Sequence, residues 1–486
     1  MKKCFLLLYT LFIGYFACGQ SSMPCIPCLS GGISLTTQSQ IDSFPINYPG
    51  CTEILGDVTI GGIWPSSDIS NLNGLSNLTK ISGNCGILYN NLLNTLSGLN
   101  LITEIGGELR LQTNKYLQSL SGLETLSTVG GNLNICYNYS LVNLSALGSL
   151  SFVGGDVIIQ SDDSLKDLTG LESLTYMNSD LLILGNYGLM SLNGLNNLIS
   201  IDGSLIVSNN LSLNSLAALE NFKIIGTFIY ISENPVLTNL VGLDHLTNIP
   251  VYLYIFQNNS LNSIAALDSL TTIGSSLFIL DNDSLSNLNG LENLVSVNGL
   301  IISNNFSLSS LMGLTNLSVV GSGDFYQGKI WIINNPSLIS LNGLDNIAAW
   351  SISELVVFNN ISLSTCEVTS ICDYLGTPNA SVEIHDNAPG CNSVEEVDSA
   401  CSFLSVGDAS DQLALMLYPN PTCADLTIET QARSSLYILD FSGRQLLLHE
   451  IPGPTTNIDV TGLKSGVYIV RVVGEKGVQV GKFIKH

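Results

Sequence analysis

The stretch LIVSNNLSLNSLAALENFKIIG, which runs from Leu205 to Gly226, is the unit from which most of this chain is built. Within it, Asn210 stands in a regular series of Leu and Ile, and the pattern returns every 24 residues. The polar position of the repeat is held by Asn90, Asn114, Asn138, Asp162, Asn186, Asn210, Asn234, Asn258 and Asn282. A polar residue at one phase of an apolar repeat predicts a solenoid, in which each turn presents its amide to the backbone of its neighbour.

The spacing of the repeat changes towards its C-terminal end. Asn305 follows Asn282 after 23 residues, and Asn335 follows after 30 more because residues 321–328 are inserted. With Asn360 the series reaches twelve polar residues, so we predict twelve turns that carry one. We call these twelve residues the Asn ladder. We predict that they are structural, because a buried amide must find partners for its donors and its acceptor.

The composition fits one long repeat domain. Of the 486 residues, 45% are hydrophobic and 11% are charged, as expected when the Leu and Ile of every turn face a continuous interior. The net charge of −24 predicts repulsion from phosphate backbones, which excludes nucleic acid as a partner. We interpret the acidic surface as a source of solubility outside the cell.

Residues 1–19 have the features of a cleaved signal peptide. Lys2 and Lys3 precede an apolar run, and Ala17-Cys18-Gly19 supplies the small residues of a cleavage site before Gln20. The apolar run is too short for a stable membrane span, and we expect no transmembrane segment later in the chain. A lipid-modified Cys18 is the alternative. We therefore expect a secreted or outer-surface protein.

Eight of the ten cysteines that remain after cleavage cluster at the two ends of the repeat. They are Cys25, Cys28, Cys51 and Cys85 near the start, and Cys366, Cys372, Cys391 and Cys401 after the last full turn. In an exported chain this distribution predicts disulfides that cap the open ends of the solenoid, with connectivity left open. A redox or zinc pair is the alternative for Cys25 and Cys28. We expect Cys136 and Cys423 to be unpaired.

Residues 20–57 are predicted as an N-terminal cap. Thr36 and Thr37 precede apolar residues in a pattern typical of a helix start, and Pro45 is expected to end that helix. Residues 58–60 are predicted as the first strand.

Residues 58–404 are predicted as the solenoid with its Cys-rich C-terminal cap. This cap is expected to contain a short helix over residues 370–375 and a last strand over residues 382–384.

The turn resembles a leucine-rich repeat. The variant L-x-I-x-x-N-x-x-L, with I-x-G before the next strand, is similar to the receptor L domain, the ligand-binding solenoid of growth-factor and insulin receptor ectodomains. The stretch from Cys51 to Ile60 resembles the opening of that domain, and the stretch from Asn360 to Cys366 resembles its closing turn. The resemblance covers roughly residues 51–391. It implies a mainly β fold with a parallel sheet and a ligand-binding role.

The repeat ends before a predicted linker at residues 405–411, and residues 412–486 have a different pattern. They contain short alternating strands joined by Gly and Pro turns, which predict a small β-sandwich. This region resembles the C-terminal sorting domain of type IX secretion, type A. The resemblance implies recognition of residues 412–486 by the type IX machinery and export across the outer membrane.

Candidate binding residues follow from the phase of the repeat. Alternation within L-x-I points the two apolar residues inward and the middle residue outward. From residue 158 onward this outward column is apolar or aromatic: Ile158, Leu182, Ile206, Tyr230, Tyr254, Phe278, Ile301, Trp331 and Val356. We predict a binding face centred on Tyr230, Tyr254, Phe278 and Trp331, with Phe228, Tyr252 and Phe256 from neighbouring outward columns. The alternative is a column that only stabilises the sheet.

Catalytic chemistry finds little support. His245 beside Asp244 and His385 beside Asp386 are isolated, and the chain has no G-x-S-x-G or H-E-x-x-H motif. The pair Asp281 and Asp283 lacks the other ligands of an EF-hand loop. We therefore expect neither an enzyme nor a cofactor or metal site. The favoured function is binding or adhesion to an extracellular protein or polysaccharide, and the alternative is a self-associating structural protein of a surface layer or matrix.

Overall fold

The computed structural model describes residues 26–62, 67–321, 326–404, 415–429, 434–440, 444–451, 455–474 and 477–486. The chain divides after Leu404 into two compact units. The predicted signal peptide with Cys18, the half-cystine candidate Cys25 and the predicted linker over residues 405–411 lie outside the described residues.

The first unit is a solenoid whose main feature is one parallel sheet of fifteen strands, here called the long sheet. Neighbouring strands are one turn apart and in register, so that Leu205 pairs with Ile229 and Ile206 with Tyr230. The strands are Ile33–Leu35, Val58–Gly61, Cys85–Leu88, Leu109–Gln112, Leu133–Cys136, Val157–Gln160, Leu181–Leu184, Leu205–Ser208, Ile229–Ser232, Leu253–Phe256, Ser276–Leu280, Gly299–Ser303, Lys329–Ile333, Glu354–Phe358 and Val382–His385. Residues one period apart therefore lie side by side on the same face.

Most turns up to Val319–Val320 also contribute a two-residue strand to shorter parallel sheets. A six-stranded sheet contains Pro27–Cys28, Glu53–Ile54, Lys80–Ile81, Glu104–Ile105, Thr128–Val129 and Phe152–Val153. A three-stranded sheet contains Tyr176–Met177, Ser200–Ile201 and Ile224–Ile225, and a four-stranded sheet contains Asn248–Ile249, Thr272–Ile273, Ser296–Val297 and Val319–Val320. Short 3-10 segments occur at Asn73–Leu75, Ser145–Leu147, Ala217–Leu219, Ala265–Leu267, Met312–Leu314 and Ala349–Ser351.

The Leu and Ile of the repeat form one continuous core. In the turn that begins at Leu205, every apolar repeat position through Leu219 is fully buried, and so is Phe222. Because each turn buries its apolar residues against its neighbours, the core grows with each added turn and needs no second layer of helices.

The N-terminal cap differs from the prediction in two ways. Helix α1 spans Gln38–Asn47 and begins at a capping box in which the Thr37 side chain accepts from the Gln40 backbone N–H. Pro45 lies inside α1 and does not end it, because the loss of one N–H still leaves Tyr48 to donate to Phe44 O at 2.9 Å. The strand Ile33–Leu35 precedes the predicted first strand and pairs with it. This three-residue strand has no ladder residue after it, so the repeat pattern does not reveal it.

The C-terminal cap contains the two predicted elements and one more. Helix α2 spans Thr369–Leu375 and the last strand is Val382–His385, as predicted, and helix α3 spans Val394–Leu404. Two disulfides join this cap, Cys366–Cys391 and Cys372–Cys401.

At the N-terminal end, Cys28 is bonded to Cys51. Cys85 was a half-cystine candidate, but it is a buried free thiol. It begins the strand Cys85–Leu88 and pairs with Val58 and Leu109, so it fills the inward Leu position of its turn. The prediction of a disulfide at Cys85 is therefore wrong. Cys136 and Cys423 are free, as expected.

The second unit is built from antiparallel strands in two sheets. One sheet contains Met416–Tyr418, Asp425–Glu429 and Thr455–Asp459, and the other contains Ser434–Asp440, Gln445–Ile451, Gly466–Gly474 and Gly477–Lys485. Side chains from both sheets share one buried core, with Ile428 and Ile458 from the first and Ile438, Val470 and Phe483 from the second. The second unit is therefore a small antiparallel β domain, as predicted.

Candidate functional site

The Asn ladder lies directly beside the long sheet and is fully buried. In a typical turn, Asn210 Nδ2 donates to Ile183 O at 2.9 Å, and its Oδ1 accepts from the Asn186 backbone N–H at 3.0 Å. The side chain of each turn is therefore bonded to the backbone of the preceding turn. Asn387 adds a thirteenth member that the sequence pattern missed, since its Oδ1 accepts from the Asn360 N–H at 3.0 Å. The buried amide groups therefore find their hydrogen-bond partners within the fold.

One ladder position holds a carboxyl group in place of an amide. Asp162 Oδ1 accepts from the Asn138 backbone N–H at 2.7 Å, whereas the buried Oδ2 has no hydrogen-bond partner among the described residues. Burial raises the pKa of Asp162 to about 8, and the hydrogen bonds from Asn138 act against this shift.

The residue before each ladder position has a left-handed backbone. Examples are Asn209 with φ 57°, Glu233 with φ 56°, Gln257 with φ 53° and Asp281 with φ 54°. This conformation turns the chain out of the strand immediately before the ladder residue. These residues form a regular column at the C-terminal ends of the strands of the long sheet, here called the rim.

In most turns of the first half of the solenoid, the residue just before the strand accepts a hydrogen bond from the backbone of the next turn. Asn132 Oδ1 accepts from the Asp156 N–H at 2.9 Å, and Asp180 Oδ1 accepts from the Ser204 N–H at 2.6 Å. Phe228 and Tyr252 occupy this column two and three turns after Asp180. Because their rings do not bond to the next backbone, they are free to extend over the outer face of the sheet.

The predicted site residues come together on the outer face of the long sheet, because in-register pairing places like residues side by side. We call the following set the aromatic face: Phe228, Tyr230, Tyr252, Tyr254, Phe256, Phe278 and Trp331. Phe228 and Tyr252 are stacked with ring centroids 4.3 Å apart. Tyr230 and Tyr254 are stacked at 4.8 Å, and Phe278 follows at 5.0 Å from Tyr254. All seven side chains are half-buried.

The inserted segment adds a ring that the column prediction did not include. Tyr326 lies edge-on to Phe278 at 5.1 Å and to Trp331 at 5.8 Å, so it spans the gap between them. Ile301, which pairs with both of these residues in the sheet, is only 5% exposed. Val356 is also buried, at 6%. Both residues therefore lie in the predicted outward column, in register with Phe278 and Trp331, but their side chains are buried.

Charge is concentrated at one end of the aromatic face. Lys329 lies over the Trp331 ring, with Nζ 5.1 Å from its centroid, and the same Nζ is 2.9 Å from Glu354 Oε2. The Trp331 Nε1 atom is buried without a hydrogen-bond partner among the described residues. This end of the face is thus rigidly held by an ion pair and a cation–π contact.

The hydroxyls of Tyr252 and Tyr254 remain neutral donors. The pKa values of Tyr252 and Tyr254 are raised, mainly by partial burial and further by the neighbouring Tyr230. The face therefore presents phenolic O–H groups, together with ring carbon, over the whole physiological pH range.

A shallow groove of about 430 Å³ runs along the rim. The residues of the aromatic face do not line it, but Gln257, which does, directly follows Phe256 in the chain. Its apolar walls are Leu211, Pro235 and Phe306, and its carboxylates are Glu233, Asp281 and Asp283. Burial is the main cause of a raised pKa at Asp281, and a hydrogen bond from Asn304 opposes it. The described residues that line the groove include no Lys or Arg.

His385, at the last strand, is engaged on both ring nitrogens. Nδ1 lies 2.7 Å from Asp386 Oδ2, and Nε2 lies 3.1 Å from Glu383 Oε1. These two contacts raise its pKa, and its ring is stacked on Phe358 at 4.9 Å. In the described ranges, no three His, Cys, Asp or Glu side chains are grouped so as to hold a metal ion.

Comparison with known proteins identifies the second unit. Among the described residues, no helix has both the length and the apolar composition to cross a membrane. Comparison of the chain with curated proteins gives no match. Residues 416–486 match the family model described as the secretion system C-terminal sorting domain. The C-terminal unit is therefore a type IX sorting domain, and the protein is secreted and either attached at or released from the outer cell surface.

Proposed function

We propose that the protein is a non-catalytic binding or adhesion protein that holds an extracellular protein or polysaccharide on the aromatic face. In this proposal the solenoid is a leucine-rich repeat of the receptor L domain type, residues 1–19 are its signal peptide, and the sorting domain is of type A. The observation that carries the proposal is the contiguous set of half-buried rings on a protein with a net charge of −24.

Two physical features support a binding role. The rings lie on adjacent strands about 4.8 Å apart, so they form one apolar surface several turns long. Contiguous apolar surfaces of this kind mark contact sites more often than scattered apolar residues do. In addition, Tyr and Trp combine a large apolar body with a polar group, which suits them to the centre of an interface.

The test is a double substitution, Tyr254→Ala with Trp331→Ala, in the full chain. Wild type and variant are applied to an array of extracellular matrix proteins and polysaccharides. We expect the variant to lose at least tenfold in signal on every ligand that wild type captures. The matched control is Phe152→Ala with Tyr176→Ala, because these exposed aromatics lie on short strands away from the long sheet. Equal binding by wild type and the Tyr254→Ala, Trp331→Ala variant would refute the proposal.

A second candidate is a structural protein that associates with itself through the same face. The observation in its favour is that the outward column from Ile158 through Ile206 to Phe278 contains no charged residue, so two copies meet no like-charge repulsion there. Light scattering as a function of protein concentration separates the candidates. Assembly that disappears in the Tyr254→Ala, Trp331→Ala variant favours the structural role, and a monomer at all concentrations favours binding of another ligand.

A further inference from the structure

The orientation of the rings limits what the aromatic face can bind. Phe228 and Tyr252 are stacked with an interplanar angle of 20°, and Tyr230 and Tyr254 with an angle of 15°. Each stacked pair covers its inner ring faces, so the rings meet a ligand mainly through their edges and hydroxyl groups. A sugar ring packs on an aromatic face, and this arrangement offers few open faces. A polypeptide can pack apolar side chains on ring edges and accept hydrogen bonds from Tyr O–H.

The charge beside the aromatic face indicates whether the ligand is cationic or anionic. Residues 209–306 contain seven Asp and Glu but only one basic residue, Lys223. Lys223 precedes the strand Ile224–Ile225 of a short sheet, whereas Glu233, Asp281 and Asp283 line the groove at the rim. A cationic side chain in the groove would therefore meet three carboxylates and no competing cation among the described lining residues.

The spacing of the carboxylates indicates the conformation of the ligand. Glu233 and Asp281 occupy the same rim position two turns apart, which corresponds to ~10 Å along the solenoid. A polyproline II segment advances ~3.1 Å per residue, so that side chains three residues apart lie on one side at ~9.3 Å. Its backbone carbonyls carry no internal hydrogen bonds and are free to accept from Tyr O–H groups. Aromatic-lined grooves are a known setting for this conformation.

We propose that the occupant of the aromatic face is an extended, cationic polypeptide segment in the polyproline II conformation. Lys or Arg side chains three residues apart enter the groove at Glu233 and at Asp281 with Asp283, and the intervening residues pack on the ring edges. This inference rests on the proposed function, because it assigns a ligand class to the same face.

The test uses fluorescence anisotropy with the full chain and a fluorescein-labelled peptide of four Lys-Pro-Pro repeats. We expect saturable binding that weakens at least tenfold between 50 and 500 mM salt, as charge pairing requires. The double variant Glu233→Gln with Asp281→Asn removes two groove charges and should weaken binding at least tenfold. The matched control, Glu220→Gln with Asp268→Asn, removes two exposed charges outside the groove and should change binding less than twofold.

The outcomes are distinct. Equal binding of an otherwise identical Glu-Pro-Pro peptide, or equal affinity of the groove variant and wild type, overturns the inference. Absence of peptide binding, with or without binding of a linear β-1,4-glucan hexamer, also overturns it. If the array still shows ligands that depend on Tyr254 and Trp331, only the ligand class is wrong and the proposed function stands. A Lys-Pro-Pro signal that resists Tyr254→Ala with Trp331→Ala places the peptide off the aromatic face and also refutes the inference.

Discussion

The carboxyl group of Asp162 gives the sharpest quantitative prediction. In the neighbouring turn, Asn186 Nδ2 donates to Ile159 O at 2.9 Å, whereas an ionised carboxylate at position 162 has no proton to donate. Protonation of Oδ2 supplies that missing donor. Burial favours the same neutral form, which is why the pKa of Asp162 is raised from 3.8 to about 8.

The substitution Asp162→Asn tests this assignment, and its effect on stability depends on pH. Because the folded-state pKa is raised, the stability that the neutral carboxyl contributes is complete below pH 3.8 and is lost as pH rises towards about 8. With ~1.4 kcal/mol per pKa unit, the loss reaches about 5 kcal/mol at pH 8. The amide that replaces the carboxyl group in the variant does not titrate. We therefore expect the variant to match wild type near pH 4 and to be more stable by about 5 kcal/mol at pH 8.

The assay is urea denaturation of wild type and variant at pH 4.5, 6, 7 and 8.5, followed by circular dichroism. Hydrogen exchange in Leu133–Cys136 and Leu181–Leu184 shows whether the gain is local to the turns around Asp162. Asp268→Asn is the control. It removes one exposed charge, so its stability should differ little from that of wild type at every pH. A stability difference for Asp162→Asn that stays constant from pH 4.5 to 8.5, or a destabilised variant at pH 8, would refute the assignment of a neutral Asp162.

Two further predictions concern the core and the cap. Asn210→Ala removes the partners of Ile183 O and of the Asn186 N–H, so we expect a loss of about 2–5 kcal/mol in urea denaturation; a loss below about 1 kcal/mol would contradict the structural role of the Asn ladder. Cys366→Ala with Cys391→Ala opens a disulfide with a sequence separation of 25 residues, and the entropy of the unfolded loop predicts a loss of about 3 kcal/mol. Dithiothreitol should lower the stability of wild type to that of this variant or below it. An unchanged wild-type urea midpoint in reductant would contradict the capping role.

The repeat could be predicted from the sequence because each of its signals is local and recurs. The period places Leu205 and Val207 inward and Ile206 outward, and the same phase identifies the rings of the aromatic face. Departures arise where the pattern is broken or overridden. Cys85 follows the Leu phase of the repeat, but its position near other cysteines suggested a disulfide. Asn387 follows an irregular turn, so its spacing hides its membership of the Asn ladder.

Contacts of the inserted segment could not be predicted in the same way. Tyr326 lies outside the period, so no spacing rule places it between Phe278 and Trp331. The burial of Ile301 likewise does not follow from its phase in the repeat, which places it in the outward column. The acidic groove combines residues at two repeat phases from five turns. Its position depends on the left-handed backbone of the rim, which the repeat pattern does not reveal.

The 24-residue register of the Asn ladder has a consequence for how the gene can change. Removal of residues 211–234 would leave Asn210 followed 24 positions later by the residue that is now Asn258, so every inter-turn bond type would be retained. Recombination between such similar segments can therefore lengthen or shorten the protein by whole turns without altering its ends. Each turn gained or lost would change the length of the long sheet by ~4.8 Å. The loss of residues 211–234 would also remove Phe228 and Tyr230, so it would shorten the aromatic face by one turn.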